Sequence, residues 1–244
     1  MDMKISGAGV IGGGEYEEIK ISGSARIEGS VRCESFACSG SVHGEGSLES
    51  AGDVKISGSA KVDGPVQGKS VHISGAVRCG DLRGSEEIHV SGGAQIDGSL
   101  TGGEIHLSGG VRVKGGIEAE DFRLSGSLDC PGLLNAERVE IHLGRDASQL
   151  GSIGGSQVIA APTVNVYGTG ALVSFLQRRF SSPTGRLTVR ESIEADDVDL
   201  VNTHCPLVTG ARVVIGRGCR IGTVRYSESL EIDPAAEVGS TEKV

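Results

Sequence analysis

A repeat of about 17 residues constrains the fold of this chain more than any other feature of its sequence. Copies begin at residues 19, 36, 54, 71, 88, 105 and 122, and shorter copies begin at Met3 and Ile141. In a typical copy, Ile88–Leu100 (IHVSGGAQIDGSL), apolar residues alternate with polar or small ones, and glycines recur at fixed places. Alternation with a period of two is the spacing of a β-strand, and glycine permits the sharp turns between strands. The repeat predicts an all-β solenoid of stacked coils, each with three short strands and three corners.

Polar residues on either side of each coil's first apolar position are expected to face outward. The residue before that position is mostly acidic, and the residue after it is mostly basic or histidine. The acidic set is Glu18, Asp53, Glu87, Glu104, Asp121 and Glu140, and the basic set is Lys20, Lys55, His72, His89, His106, Arg123 and His142. We interpret these sets as two adjacent, solvated stripes on the outer surface that neutralise each other.

The second half of the chain is less regular, and the sequence predicts three regions. Residues 3–167 form the main solenoid, residues 168–190 interrupt it, and residues 191–239 add coils that start at Val198, Val213 and Leu230. The segment Ala171–Phe180 (ALVSFLQRRF) breaks the period, and the sequence predicts either a short helix or a loop there. A helix that covers the solenoid is favoured over one that binds a membrane surface or a partner, because the segment is short.

Composition excludes several classes of function. The formal net charge of −9 disfavours nucleic acid as a partner, since phosphate binding needs a basic face. No apolar run approaches the roughly 20 residues of a membrane span. Residues 1–14 lack the basic start and apolar stretch of a signal peptide. We therefore expect a cytoplasmic protein, with its six cysteines reduced.

Structural roles explain the histidines and cysteines of the sequence better than catalysis or metal binding does. The sequence predicts no catalytic residue, no cofactor and no metal. His72, His89 and His106 share one outer register, which could hold a metal ladder or a pH-sensitive stripe, but Lys20 and Lys55 occupy the same register elsewhere. Cysteines 33, 38, 79, 130, 205 and 219 form no CxxC pair, and we interpret them as small core residues. A labile thiol at Cys33 or Cys205 is the alternative. Walker, GxSxG and HExxH motifs are absent from the sequence.

The apolar-x-apolar-Ser-Gly units and the closing segment Leu230–Gly239 (LEIDPAAEVG) resemble the bactofilins, which are bacterial polymer-forming cytoskeletal proteins. The resemblance covers Met3 to about Leu150 and Val198–Gly239. It implies a right-handed parallel β-helix and filaments that form without nucleotide. It also implies roles in cell shape, envelope organisation or motility. The family's membrane-targeting N-terminal peptide has no clear match here, so we expect association with the inner face of the cell membrane to be peripheral at most.

The leading prediction of function is a structural scaffold whose copies assemble end to end. The terminal coils supply apolar residues near both ends of the sequence without a long polar cap, and open coil edges drive association. The predicted polymer contacts are Ile5, Val10, Ile11, Leu230, Ile232 and Val238. The expected partner is a second copy of the chain, with a paralogous bactofilin and envelope or motility proteins as further candidates.

Two other functions stay open at this point. Val214–Gly222 (VIGRGCRIG) fits the six-residue rhythm of a hexapeptide-repeat acyltransferase, although the rest of the chain does not. The second alternative is a monomeric solenoid whose outer stripes bind an envelope or motility protein. Acetyl-CoA binding would identify the enzyme, and failure to sediment would identify the monomer.

Overall fold

The computed structural model describes residues 1–162 and 185–244, and every regular element in those residues is a β-strand. Neighbouring strands pair in parallel, so the predicted all-β parallel solenoid is confirmed. In the described residues no helix is long and apolar enough to cross a membrane. The chain divides into two compact units, Met1–Glu120 and Asp121–Val244.

The first unit is built from short strands that return to the same register once per repeat. Its strands are β1 (Met3–Ile5), β2 (Ala8–Ile21), β3 (Ser24–Cys38), β4 (Ser41–Gly44), β5 (Leu48–Ser50), β6 (Val54–Ile56), β7 (Ser59–Val62), β8 (Val66–Ile73), β9 (Ala76–Cys79), β10 (Leu82–Val90), β11 (Gly93–Ile96), β12 (Leu100–Leu107) and β13 (Gly110–Val113), and β14 (Ile117–Leu124) follows them. Along its length β3 pairs in turn with β4, β5 and β6. Each coil therefore has three sides: side A, typified by β6, side B, typified by β7, and side C, typified by the start of β8.

The predicted starts of the repeats lie directly above one another on side A. Val54 pairs with Val71, Val71 with Ile88, and Ile88 with Ile105. Residues 19 and 36 precede Val54 in the same column. The period read from the sequence is thus the residue count of one coil.

Five side chains per coil point inward and fill the interior. In the coil that begins at Ile88 they are Ile88, Val90, Ala94, Ile96 and Leu100, and none is more than 6% exposed. Ala94 stacks between Val77 and Val111 on side B, so small and larger side chains alternate along that column. Since each coil buries apolar surface mainly against its neighbours, stability comes from stacking.

Glycine is required at the corner between sides A and B, where successive coils approach closely. A Cβ atom on Gly75 would collide with the carbonyl oxygen of Gly58, and one on Gly92 would collide with that of Gly75. The Ser-Gly pair in each repeat therefore marks a corner at which the backbone leaves no room for a side chain.

The second unit contains β15 (Ser127–Leu143), β16 (Ser148–Pro162), β17 (Leu187–Val189), β18 (Ser192–Glu194), β19 (Asp197–Leu200), β20 (Thr203–Ile215), β21 (Arg220–Ile232) and β22 (Glu237–Lys243). The coil starts predicted in this half share one column, because Val198 pairs with Val213 and Val213 with Leu230. Ile141 lies in the neighbouring inward column, two residues further along each strand, where it pairs with Ala160.

The predicted interruption at 168–190 falls largely outside the described residues. The helix or loop predicted for Ala171–Phe180 lies wholly outside them and stays a prediction. Where the description resumes, the Gly185 amide donates to the carbonyl of Gly144, and β17 pairs with β16.

Candidate functional site

The first coil, Met3–Glu18, forms the open N-terminal face of the first unit. Among the described residues its segments have a paired neighbour on one side only, with Met3 opposite Ile19 and Ile11 opposite Ile27. Ile5, one of the predicted contacts, is half-buried at this face, whereas Ile11 is completely buried.

Val10 differs from the other predicted contacts at this face. It pairs with Arg26 in an outward register, and its side chain is 60% exposed. Adjacent residues of a strand point to opposite faces, so Val10 and Ile11 cannot both point inward.

Tyr16 also lies at this face, and the sequence did not mark it as a contact. Tyr16 occupies an inward register opposite Cys33, and its hydroxyl donates a hydrogen bond of 2.8 Å to the carbonyl oxygen of Gly12. Tyr16 could have been noticed in the sequence, because only 3% of the residues are aromatic and this one comes three positions before the first full repeat.

The last coil, which comprises the end of β21 and β22, forms the open C-terminal face of the second unit. Leu230, Ile232 and Val238 lie opposite Val213, Ile215 and Ile221 respectively, so all three predicted contacts here occupy inward columns. Ile232 is 40% exposed, whereas Ile215 directly beneath it is completely buried. Leu230 and Val238 are half-buried. This face therefore exposes apolar side chains that the same columns bury in deeper coils.

Three ion pairs tie the last coil to the coil beneath it. Arg212 contacts Glu228 at 2.8 Å, Arg220 contacts Glu237 at 3.2 Å, and Arg225 contacts Glu242 at 2.8 Å. Each pair neutralises a carboxylate at the rim of the C-terminal face. Although exposed pairs contribute little stability individually, they reduce the negative charge that another copy would meet there.

The outer stripes predicted on side A are joined by ion pairs, at 2.7 Å between Lys20 and Glu18 and at 2.8 Å between Lys55 and Asp53. Side B carries a second pair of stripes that sequence analysis did not identify. There Lys61 contacts Asp63 at 3.5 Å and Arg78 contacts Asp97 at 3.0 Å. Arg78 and Lys114 hold the pKa of Asp97 at about 2, with Lys114 the larger cause.

The three stacked histidines form an outer ladder on side A. Ring centroids are 6.5 Å apart for His72 and His89, and 5.0 Å apart for His89 and His106. His72 Nε2 lies 3.4 Å from a carboxylate oxygen of Glu87. Within residues 1–162 and 185–244, no group of three or more His, Cys, Asp or Glu side chains is arranged to hold a metal ion.

All six cysteines are buried and unpaired by disulfides. Burial raises the pKa of the Cys79 thiol to about 12 and those of Cys205 and Cys219 to about 11. It also raises the pKa of Cys33, the other thiol considered as labile. Because the thiolate is the reactive form, these side chains act as small core residues, as predicted.

Comparison with protein families identifies the repeats. Residues 43–118 match the family model described as bactofilin, polymer-forming cytoskeletal. This part of the chain is similar to the bactofilin family. The matched residues lie in the first unit, and both terminal coils lie outside them.

Two relatives of the chain come from Bacillus subtilis, and both are uncharacterized proteins. YhbF is 31% identical over 112 residues, which cover 46% of this chain and 42% of YhbF. YhbE is 43% identical over 54 residues, which cover 22% of this chain and 23% of YhbE. The chain thus matches less than half the length of either relative. No solved structure matches it significantly.

Proposed function

We propose that this protein is a structural scaffold whose copies stack end to end into a polymer without nucleotide. The exposure of Ile232 carries the proposal, because its column is completely buried one coil deeper, at Ile215. A second copy stacked on the C-terminal face would bury Ile232, Leu230 and Val238, and Ile5 and Ile11 supply the apolar interior at the N-terminal face. The family's description as polymer-forming supports the proposal.

Assembly of this kind needs only parallel or antiparallel strand pairing and apolar contact at the faces. The sequence has no phosphate-binding loop of the Walker type, so we expect polymer to form without ATP or GTP. Such a polymer would support cell shape, envelope organisation or motility. A paralogous bactofilin and envelope or motility proteins are the further partners we propose.

The direct test places one charge at each face. We expect Ile232→Arg and Ile5→Arg to remain β-rich by circular dichroism and to stay in the supernatant on ultracentrifugation. A buried unpaired charge costs several kcal/mol at a stacked contact, but less in a half-exposed terminal coil.

Matched controls place the same charge in the same coils on the outside. Val10 lies in register with Arg26, and Ser229 lies in register with Arg212, so Val10→Arg and Ser229→Arg should pellet like the wild type. Wild-type filaments from both Ile5→Arg and Ile232→Arg, seen by electron microscopy, would show that these faces are not the assembly surfaces. Pelleting that required added nucleotide would contradict the second part of the proposal.

A further inference from the structure

The interior of the first coil departs from that of the coils below it at three positions. Gly9 and Gly14 stand where the next coil has Ala25 and Val31, and Tyr16 stands where it has Cys33. Beyond Cys33 that column continues with Ser50, and in later coils the small residues Gly68, Gly84 and Gly102 stack on the same side. The first coil thus lacks two interior side chains and carries one that is too large for its column.

The Ile5 side chain fills the first of these gaps, whereas a Cβ atom on Gly14 would face open space. A Cβ atom on Gly9 would lie 2.9 Å from Cδ1 of Ile5, so the Ile5 side chain occupies the space that Ala25 fills one coil deeper. The Tyr16 hydroxyl reaches back to the Gly12 carbonyl at 2.8 Å, so its ring extends along side C of the outermost coil. Ile11 is completely buried, although it belongs to that coil.

The two faces therefore differ in kind. At the N-terminal face Ile5 fills the space beside Gly9 and Ile11 is completely buried, whereas the C-terminal face leaves Ile232 40% exposed above a completely buried Ile215. A coil of a second copy cannot continue the columns of the N-terminal face while the Tyr16 ring lies across it, because an aromatic ring does not fit a column of small residues.

We propose that the Tyr16 side chain is an intramolecular cap that weakens stacking of a second copy on the N-terminal face. This inference rests on the proposed function. Stacking there requires the ring to leave its place and its hydrogen bond to Gly12 to break, and the C-terminal face has no equivalent step. The N-terminal contact is consequently the weaker of the two and sets the protein concentration at which polymer forms.

The test isolates the N-terminal face by blocking the other one. In an Ile232→Arg background, self-association would be measured by sedimentation velocity with Tyr16 intact, with Tyr16→Ser and with Tyr16→Phe. Serine matches Ser50 in the same column, and phenylalanine keeps the ring but removes the hydroxyl. We expect Tyr16→Ser to tighten dimerisation at least several-fold, and Tyr16→Phe to have a smaller effect in the same direction.

Unchanged or weaker association in Tyr16→Ser, with a circular dichroism spectrum like that of its parent, would overturn the cap. If Tyr16→Ser does not fold, Tyr16→Phe decides, and association no tighter than that of its parent overturns the cap. Pelleting of the wild-type chain tests the proposed function separately. Wild-type polymer with no effect of Tyr16→Ser contradicts only the cap, whereas no wild-type polymer with tighter dimers in Tyr16→Ser contradicts only the function.

Discussion

Cysteine serves in this protein as a small apolar residue. Cys79 lies below Ile96 in an inward column of side B and is 1% exposed, and Cys219 is completely buried. Desolvation disfavours the thiolate, which is why the pKa of Cys79 rises to about 12. The same column holds Ile96 in the next coil, so the sulfur atom of Cys79 stands where an aliphatic side chain stands elsewhere.

The raised pKa values predict that the native thiols react slowly with iodoacetamide at pH 8. A thiol with a pKa of about 12, as at Cys79, is almost entirely protonated at that pH. Mass spectrometry should find little alkylation of the native protein and modification of all six cysteines in urea. Rapid labelling of Cys33 or Cys205 in the native protein would instead support the labile thiol that the sequence left open.

At this scale the sequence predicted most of the interior. The inward positions of the regular copies, such as Ile88, Val90 and Ile96, follow directly from the alternation. Val10 and Tyr16 could not be assigned in the same way. The glycine-rich segment around Val10 (GAGVIGGG) leaves the facing of Val10 and Ile11 open, and the bond from Tyr16 to Gly12 depends on side-chain placement at an end.

Corners are the elements that hold the coils in register. At the corner between sides A and B, Gly92 lies so close to the preceding coil that a Cβ atom would collide with the Gly75 carbonyl. Gly93, its neighbour in the chain, has open space around its own Cβ position. The fold therefore leaves room for a side chain at Gly93 but not at Gly92.

This difference predicts opposite results for two alanine substitutions. Gly92→Ala should lower the free energy of unfolding by more than about 1 kcal/mol, because the backbone must shift to relieve the collision. Gly93→Ala should leave it within about 0.5 kcal/mol of the wild type, as is usual for exposed positions. Urea denaturation followed by circular dichroism measures both, and equal losses would contradict the close approach at Gly92.

The elements themselves were predictable to different degrees. Three strands and three corners per repeat followed from the sequence because glycines, often in a Ser-Gly pair, recur at fixed places in most copies. The charged stripes on side B are visible in principle in segments such as ARIEG and AKVDG, where a basic and an acidic residue flank an apolar one, but they lie away from the repeat starts. In the second unit β18 and β19 are short and the coil steps vary, so periodicity alone gave three starts and no side assignments.

At the scale of the whole molecule, each unit is a stack in which one coil contacts the next through the same columns. A stack of this kind has paired strands everywhere except at its first and last coils, and those faces decide how it associates. The sequence predicts that the terminal apolar residues are contacts, and this stays a prediction. It could not show that the two terminal coils differ, because that difference depends on where the Ile5 and Tyr16 side chains lie.

Because the repeats of the first unit stack in register, such a chain can be shortened or lengthened by one whole repeat without moving inward residues to the outside. Val54 pairs with Val71 and Val71 with Ile88, so excising residues 71–87 would place Ile88 on Val54 and keep every inward residue inward. We expect this shortened chain to melt cooperatively with an unchanged β spectrum. Removing Val71 alone should instead lower the melting temperature, since a slip of one residue reverses which side chains face the interior. Tandem duplication of a single repeat in the gene would accordingly yield a longer protein that still folds, whereas most shorter insertions would be eliminated by selection.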